Sequence, residues 1–174
     1  TVNAFDDYWF HEKDAVNLLR SGRAWWGEYL ATTKGLTLQA PIGNILAHSE
    51  LLVNTSAIAA AQVATSIRWH VNQQEIGNST FGSVYPGTYN IKATESNRRF
   101  KVQAGANPPS VWHIGIEYDR NAQSNAQSYL NYISVQAKRV LQQYAQPQHY
   151  YFLPTKQKKV NYQINGTDSD WKFW

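Results

Sequence analysis

The chain has 174 residues, a net charge of +4 and a pI near 9.2, with 43% hydrophobic, 14% aromatic and only 16% charged residues. That is enough apolar material for one folded domain with a real core and too much for a disordered chain. The absence of Cys excludes disulfides, thiolate metal sites, iron–sulfur clusters and cysteine nucleophiles.

From the N-terminus, Phe5, Trp9, Val16, Leu19, Trp26 and Leu30 recur at steps of three, four and seven, which predicts an amphipathic helix over 4–33. Asn3 suits its N-cap, Asp6 and Asp7 suit its first turn, and Gly35 its end. Pro41 suits the start of a second helical region reaching about Gln74, broken near Asn54, Thr55 and Ser56. The two together predict a long antiparallel helical hairpin, helical over 4–75.

After Asn78 the pattern changes. "STFGSVYPGTYNIKA" carries a Pro86-Gly87 turn between two β-like runs, "RRFKVQA" alternates, and "GANPPS" reads as a loop. "VWHIGIEYD", Val111 to Asp119, is the best strand candidate. It puts Trp112, Ile114, Ile116 and Tyr118 on one face and His113, Gly115, Glu117 and Asp119 on the other. An antiparallel sheet is therefore expected over 78–119. Ala126, Leu130, Ile133, Ala137, Val140, Leu141 and Tyr144 predict a further helix over 122–146, stopped by Pro147. Val160, Tyr162 and Ile164, an Asn165-Gly166 turn, then Trp171 and Phe173 predict a C-terminal hairpin within 150–174. The expected class is α+β, a single domain over 1–174.

Low charge leaves a surface resting on Asn, Gln, Ser and Thr, which repels copies of itself weakly and favours a homo-oligomer or filament. The mild positive charge favours an anionic partner, either nucleic acid or a wall polymer. Lys13, Arg20 and Arg23 on the first helix, with Lys156, Lys158 and Lys159 in "KQKK", are the candidate phosphate contacts. Trp9, Trp25, Trp26, Trp171, Phe173 and Trp174 are the candidate subunit contacts. No apolar run approaches the ~18 residues of a membrane span. The small Thr1, in a chain without Met, fits removal of an initiator or of a longer leader.

The imidazole and two carboxylates of the "VWHIGIEYD" strand are residue types that bind metals or act as acid and base. In an extended strand His113 and Asp119 lie about 20 Å apart, too far to hold one ion together. No P-loop, GxGxxG, G-x-S-x-G or H-E-x-x-H motif occurs.

Two resemblances bear on function. "FDDYWFHEKDAVNLL" is similar to the acidic-Trp entry and helix of rod-shaped virus coat proteins, and the expected basic hairpin resembles coat subunits of filamentous DNA viruses of archaea. This resemblance implies a self-assembling virion or extracellular filament subunit without a cofactor, contacting nucleic acid. "IGIE", at 114–117, resembles the catalytic strand of zinc-dependent N-acetylmuramoyl-L-alanine amidases, with "ILAHSE" and "QPQHYYF" placing histidines in similar order. This alternative resemblance implies Glu117 as the proton-handling residue and His48, His149 and Asp168 or Asp170 as zinc ligands.

Overall fold

The computed structural model describes residues 1–17, 24–31, 35–87, 90–142, 150 and 160–166, and all structural statements below concern these. Eight strands follow one another along the chain. They are β1 (Ala4–Glu12), β2 (Leu36–Ala40), β3 (Glu50–Ala60), β4 (Thr65–Val71), β5 (Gln74–Phe81), β6 (Thr94–Gln103), β7 (Trp112–Asp119) and β8 (Gln127–Val140).

The strands form two antiparallel four-stranded sheets: sheet A in the order β1-β8-β3-β6 and sheet B in the order β2-β7-β4-β5. One continuous apolar cluster lies between them. Leu51, Val53, Ile133 and Val135 come from sheet A, and Ile67, Trp69, Ile114 and Ile116 from sheet B. Alternation along each strand sends one face inward and leaves the other to solvent, the pattern of an antiparallel sandwich. Trp69 is fully buried and places its one polar atom well, the indole N–H donating to Ser79 Oγ at 2.9 Å.

At one side of the sandwich β5 and β6, the edges of the two sheets, meet. Gly77, at φ +145°, allows this approach, because a Cβ there would lie 2.5 Å from Phe100 Cε1.

The expected α+β architecture is corrected to all-β: no helix occurs among the described residues. Where a helix was expected over 4–33, the described residues form β1 and then non-helical chain at 13–17 and 24–31, with Val16 bridged to Trp26. The expected second helical region holds β2 to β4 and the turns at Asn44 and His48, both at φ +57°. The helix over 122–146 is a positive-φ turn at Asn121 and Ala122, then β8. Of the C-terminal hairpin, only 160–166 and Tyr150 are described. There Tyr162 pairs in parallel with Val2, and Asn165 with Gln142.

Two of these departures have identifiable causes. Residues four apart share a face in a helix and in a strand alike, so Phe5 and Trp9 fit both periods. In β8 the register shifts opposite Ser56 and Ala57, leaving Asn131 unpaired between Leu130 and Tyr132. This bulge turns Leu130 and Ile133 to the same buried side, a step of three that imitates a helix. The strands expected at "RRFKVQA" and "VWHIGIEYD" are present as β6 and β7.

Candidate functional site

Two solvent-facing surfaces, one on each sheet, gather side chains with chemistry to offer. On sheet B, β7 divides as its alternation predicts. Trp112, Ile114 and Ile116 are buried and Tyr118 is half-buried, while His113, Glu117 and Asp119 are exposed. Cross-strand pairing sets Gly115 opposite His70 of β4 and Thr37 of β2, and Glu117 opposite Arg68. Arg68 Nη2 and Nε donate to Glu117 Oε2 at 3.1 and 3.3 Å, with both side chains 51% exposed. Glu117 is thus half of a surface ion pair. Among the described residues no group of three or more His, Cys, Asp or Glu is placed to hold a metal ion.

Among the described residues, His48 and Glu117 are not brought together as the amidase-type arrangement requires. His48 sits exposed on a turn leading into sheet A, its N–H donating to the Gly105 carbonyl, whereas Glu117 lies on the outer face of sheet B. His149, Asp168 and Asp170 lie outside the described residues.

Of the residues expected to contact phosphate, only Lys13 is among the described residues. Lys13 is exposed on irregular chain after β1, so the basic helix that was to carry it is absent. Arg20, Arg23, Lys156, Lys158 and Lys159 lie outside the described residues. Of the expected subunit contacts, Trp9 faces inward against the core and stacks on His11 at 5.9 Å. Trp26 is half-buried beside Val16 and Trp25 is exposed. Trp171, Phe173 and Trp174 lie outside the described residues.

The outer face of sheet A is the larger surface, and the sequence reading missed it. Tyr8, Gln136, Leu52 and Lys101 form one row across the four strands, and Phe10, Ser134, Asn54 and Arg99 form the next. Tyr8 is 64% exposed and Phe10 48%. Phe10 stacks on Tyr132 at 5.7 Å, and farther along β8 Tyr129 packs on Tyr29 at 5.2 Å. Burial holds the Tyr129 phenol above its ordinary pKa, with the Tyr29 phenol beside it adding in the same direction.

Polar groups beside the aromatics are fixed. Asn54 Nδ2 donates to Ser134 Oγ at 3.0 Å, and Arg99 Nε donates to Asn54 Oδ1 at 2.7 Å. Ion pairs of 3.1 Å, Lys138 with Asp6 and Lys101 with Glu50, stand beside a mainly apolar hollow of about 620 Å³ over Tyr8, Leu52 and Gln136. The available sequence signal was "DYWF": aromatic residues on both faces of one strand, when a core needs only one.

No family model matches the chain, and no curated protein matches it. Among solved structures, dimeric latent PorU from Porphyromonas gingivalis matches with a TM-score of 0.73 at 20% identity, over 88% of this chain. The chain spans 15% of that much longer one. A calcium- and xylotriose-bound carbohydrate-binding module, CBM36, matches with a TM-score of 0.40 at 9% identity, over 77% of this chain and 99% of that one. The Eiger TNF structure from S. frugiperda gives 0.38 at 7% identity, over 91% of this chain and 100% of that one.

The PorU likeness is one of fold, and it agrees with the all-β sandwich described above. It corrects the expected resemblances to helical coat proteins and to zinc amidases. The coat-protein and helical-assembly reading needed the N-terminal helical hairpin, and β1 to β4 stand in its place. Among the described residues no helix is long and apolar enough to cross a membrane.

Proposed function

We propose that this chain is a non-catalytic interaction domain that works as one part of a larger protein or assembly. It docks through the outer face of sheet A onto the surface of another protein domain. The observation that carries this reading is the aromatic strip on sheet A, in which Tyr8, Phe10 and Tyr29 are exposed and the half-buried Tyr132 and Tyr129 pack against Phe10 and Tyr29. Exposed apolar patches of this kind mark interaction sites, and protein interfaces concentrate Tyr and Phe at the centre with charged groups at the rim. Here Lys138–Asp6 and Lys101–Glu50 supply the rim. The fold likeness to a part of a much longer chain supports a role as one domain among several.

The sheet is held by its core, so removing the aromatics should spare the fold. The Tyr8→Ser/Phe10→Ser double variant should unfold at the temperature of the parent chain, since surface changes usually shift stability by about 0.5 kcal/mol or less. The same variant should release the domain from its natively purified assembly in sedimentation. A variant that stays bound contradicts the reading. A parent chain that associates only with copies of itself contradicts the heterologous partner.

A further inference from the structure

Several departures from regular β geometry converge on one spot of sheet B, on the opposite side of the molecule from the docking face. β4 and β5 are joined by a two-residue turn in which Asn72 and Gln73 both have positive φ, +48° and +70°. Asn is tolerated there, but Gln is strained. The register of β4 against β5 shifts between Trp69 and His70, leaving Ile76 of β5 as an extra residue beside this turn. Asn72 pins this turn to β7, its N–H donating to the His113 carbonyl at 2.8 Å and its Oδ1 accepting the His113 N–H at 2.9 Å. Gly115 leaves the centre of β7 bare, with the His70 Cβ only 3.1 Å from where a Gly115 Cβ would stand. Gly35, at φ +67°, does the same at the rim, where a Cβ would lie 3.0 Å from the Ile116 carbonyl oxygen.

The result is a depression of about 230 Å³ walled by Thr37, His70, Gln73, His113 and Glu117. Strained backbone positions cluster at ligand and active sites, so the strained Gln73 beside this depression points to function.

The walls also define the ligand. Glu117 is balanced by Arg68 and engages it through Oε2 alone, so the one permanent charge in the walls is already paired. Among the described residues no hydrogen bond engages the side chains of Thr37, His70, Gln73 or His113. Hydroxyl, amide and imidazole groups each donate and accept, as sugar hydroxyls do. The volume falls below the ~300–1,000 Å³ of pockets that enclose drug-sized molecules, which fits a single ring. We infer that this depression is a binding site for one neutral, hydroxyl-rich ring, a monosaccharide unit of a glycan.

The test is an amide NMR titration of the folded chain with glucose, galactose, mannose and N-acetylglucosamine, followed by zinc chloride. At least one sugar should give saturable millimolar-range shifts at Thr37, His113 and Gly115. Thr37→Ala and His113→Ala, both at exposed positions, should each weaken that binding several-fold, as loss of a hydrogen bond worth about 1 kcal/mol requires. Their unchanged spectra elsewhere would show an intact fold. The inference is overturned if none of the four sugars gives saturable shifts, if both variants bind as the parent does, if the shifts map to Tyr8 and Phe10, or if zinc alone moves these resonances.

Discussion

Arg139 and Asp7 hold the inner edge of sheet A together. Arg139 Nη1 lies 2.5 Å from Asp7 Oδ2, with only 10% of the arginine side chain exposed. The same guanidinium donates through Nε to the Gly43 carbonyl at 2.8 Å and sits 5.6 Å from the centroid of the Phe5 ring. It thereby ties β8 to β1 and to the turn before β3. Removing the carboxylate breaks this ion pair at a largely buried guanidinium. Asp7→Ala should cost about 2–4 kcal/mol, read as a lower urea midpoint at unchanged slope. A loss below about 0.5 kcal/mol would show the pair to be solvated.

The Trp69–Ser79 hydrogen bond spans two fully buried groups. Ser79→Ala strands the indole N–H where water does not reach, so a loss of about 1–3 kcal/mol is expected. Unfolding followed by tryptophan fluorescence reads it, and an unchanged midpoint would contradict the geometry.

Gly77 meets Phe100 where β5 and β6 abut. Gly77→Ala should destabilise by at least about 1–3 kcal/mol from backbone strain alone, with steric contact added. Pairing it with Phe100→Leu should recover the steric part and leave the backbone part. Full additivity of the two losses would mean that the residues do not touch.

Burial holds the Tyr118 phenol above its ordinary pKa of about 10. Tyr129 and Tyr150 are shifted the same way, first by burial. A phenol that ionises more readily when unfolded contributes stability fully below its unfolded pKa, and that contribution is lost as pH rises through the folded value. Stability limited by these groups should therefore hold from neutral pH to about 9 and fall above about 10. Tyr118→Phe should make that fall shallower. An identical alkaline profile for the variant would exclude Tyr118 as a contributor.

Glu117→Gln should change stability by no more than about 0.5–1 kcal/mol, because its ion pair with Arg68 is half exposed on both sides. A larger loss in thermal unfolding would mean that Glu117 supports the fold in a way its surface position does not explain.

What the sequence showed most clearly was β7. Its Trp, Ile and Ile alternate with His, Gly and Glu, a period only a strand satisfies, and the structure buries the first set and exposes His113 and Glu117. β1, β3 and β8 were misread for separate physical reasons. In β1 the Phe5–Trp9 spacing is degenerate between the two periods. In β3 the run Thr55–Ala59 is buried on both faces, which erases alternation. In β8 the Asn131 bulge breaks the period of two. The sheet A surface could not be found while β1 was read as a helix, because Tyr8 and Phe10 fall together only when every second residue shares a face. The depression on sheet B draws on three separate stretches, and only cross-strand register places Thr37 and His70 around Gly115.

Hydroxyl-radical footprinting of the natively purified assembly, set against the isolated chain, tests the docking face most directly. Tyr85 and Ile91, 63% and 73% exposed on the loop between β5 and β6, serve as internal references. The account predicts that Tyr8, Phe10 and Tyr132 lose labelling in the assembly while Tyr85 and Ile91 keep theirs. Equal labelling of Tyr8, Phe10 and Tyr132 in both preparations would contradict it.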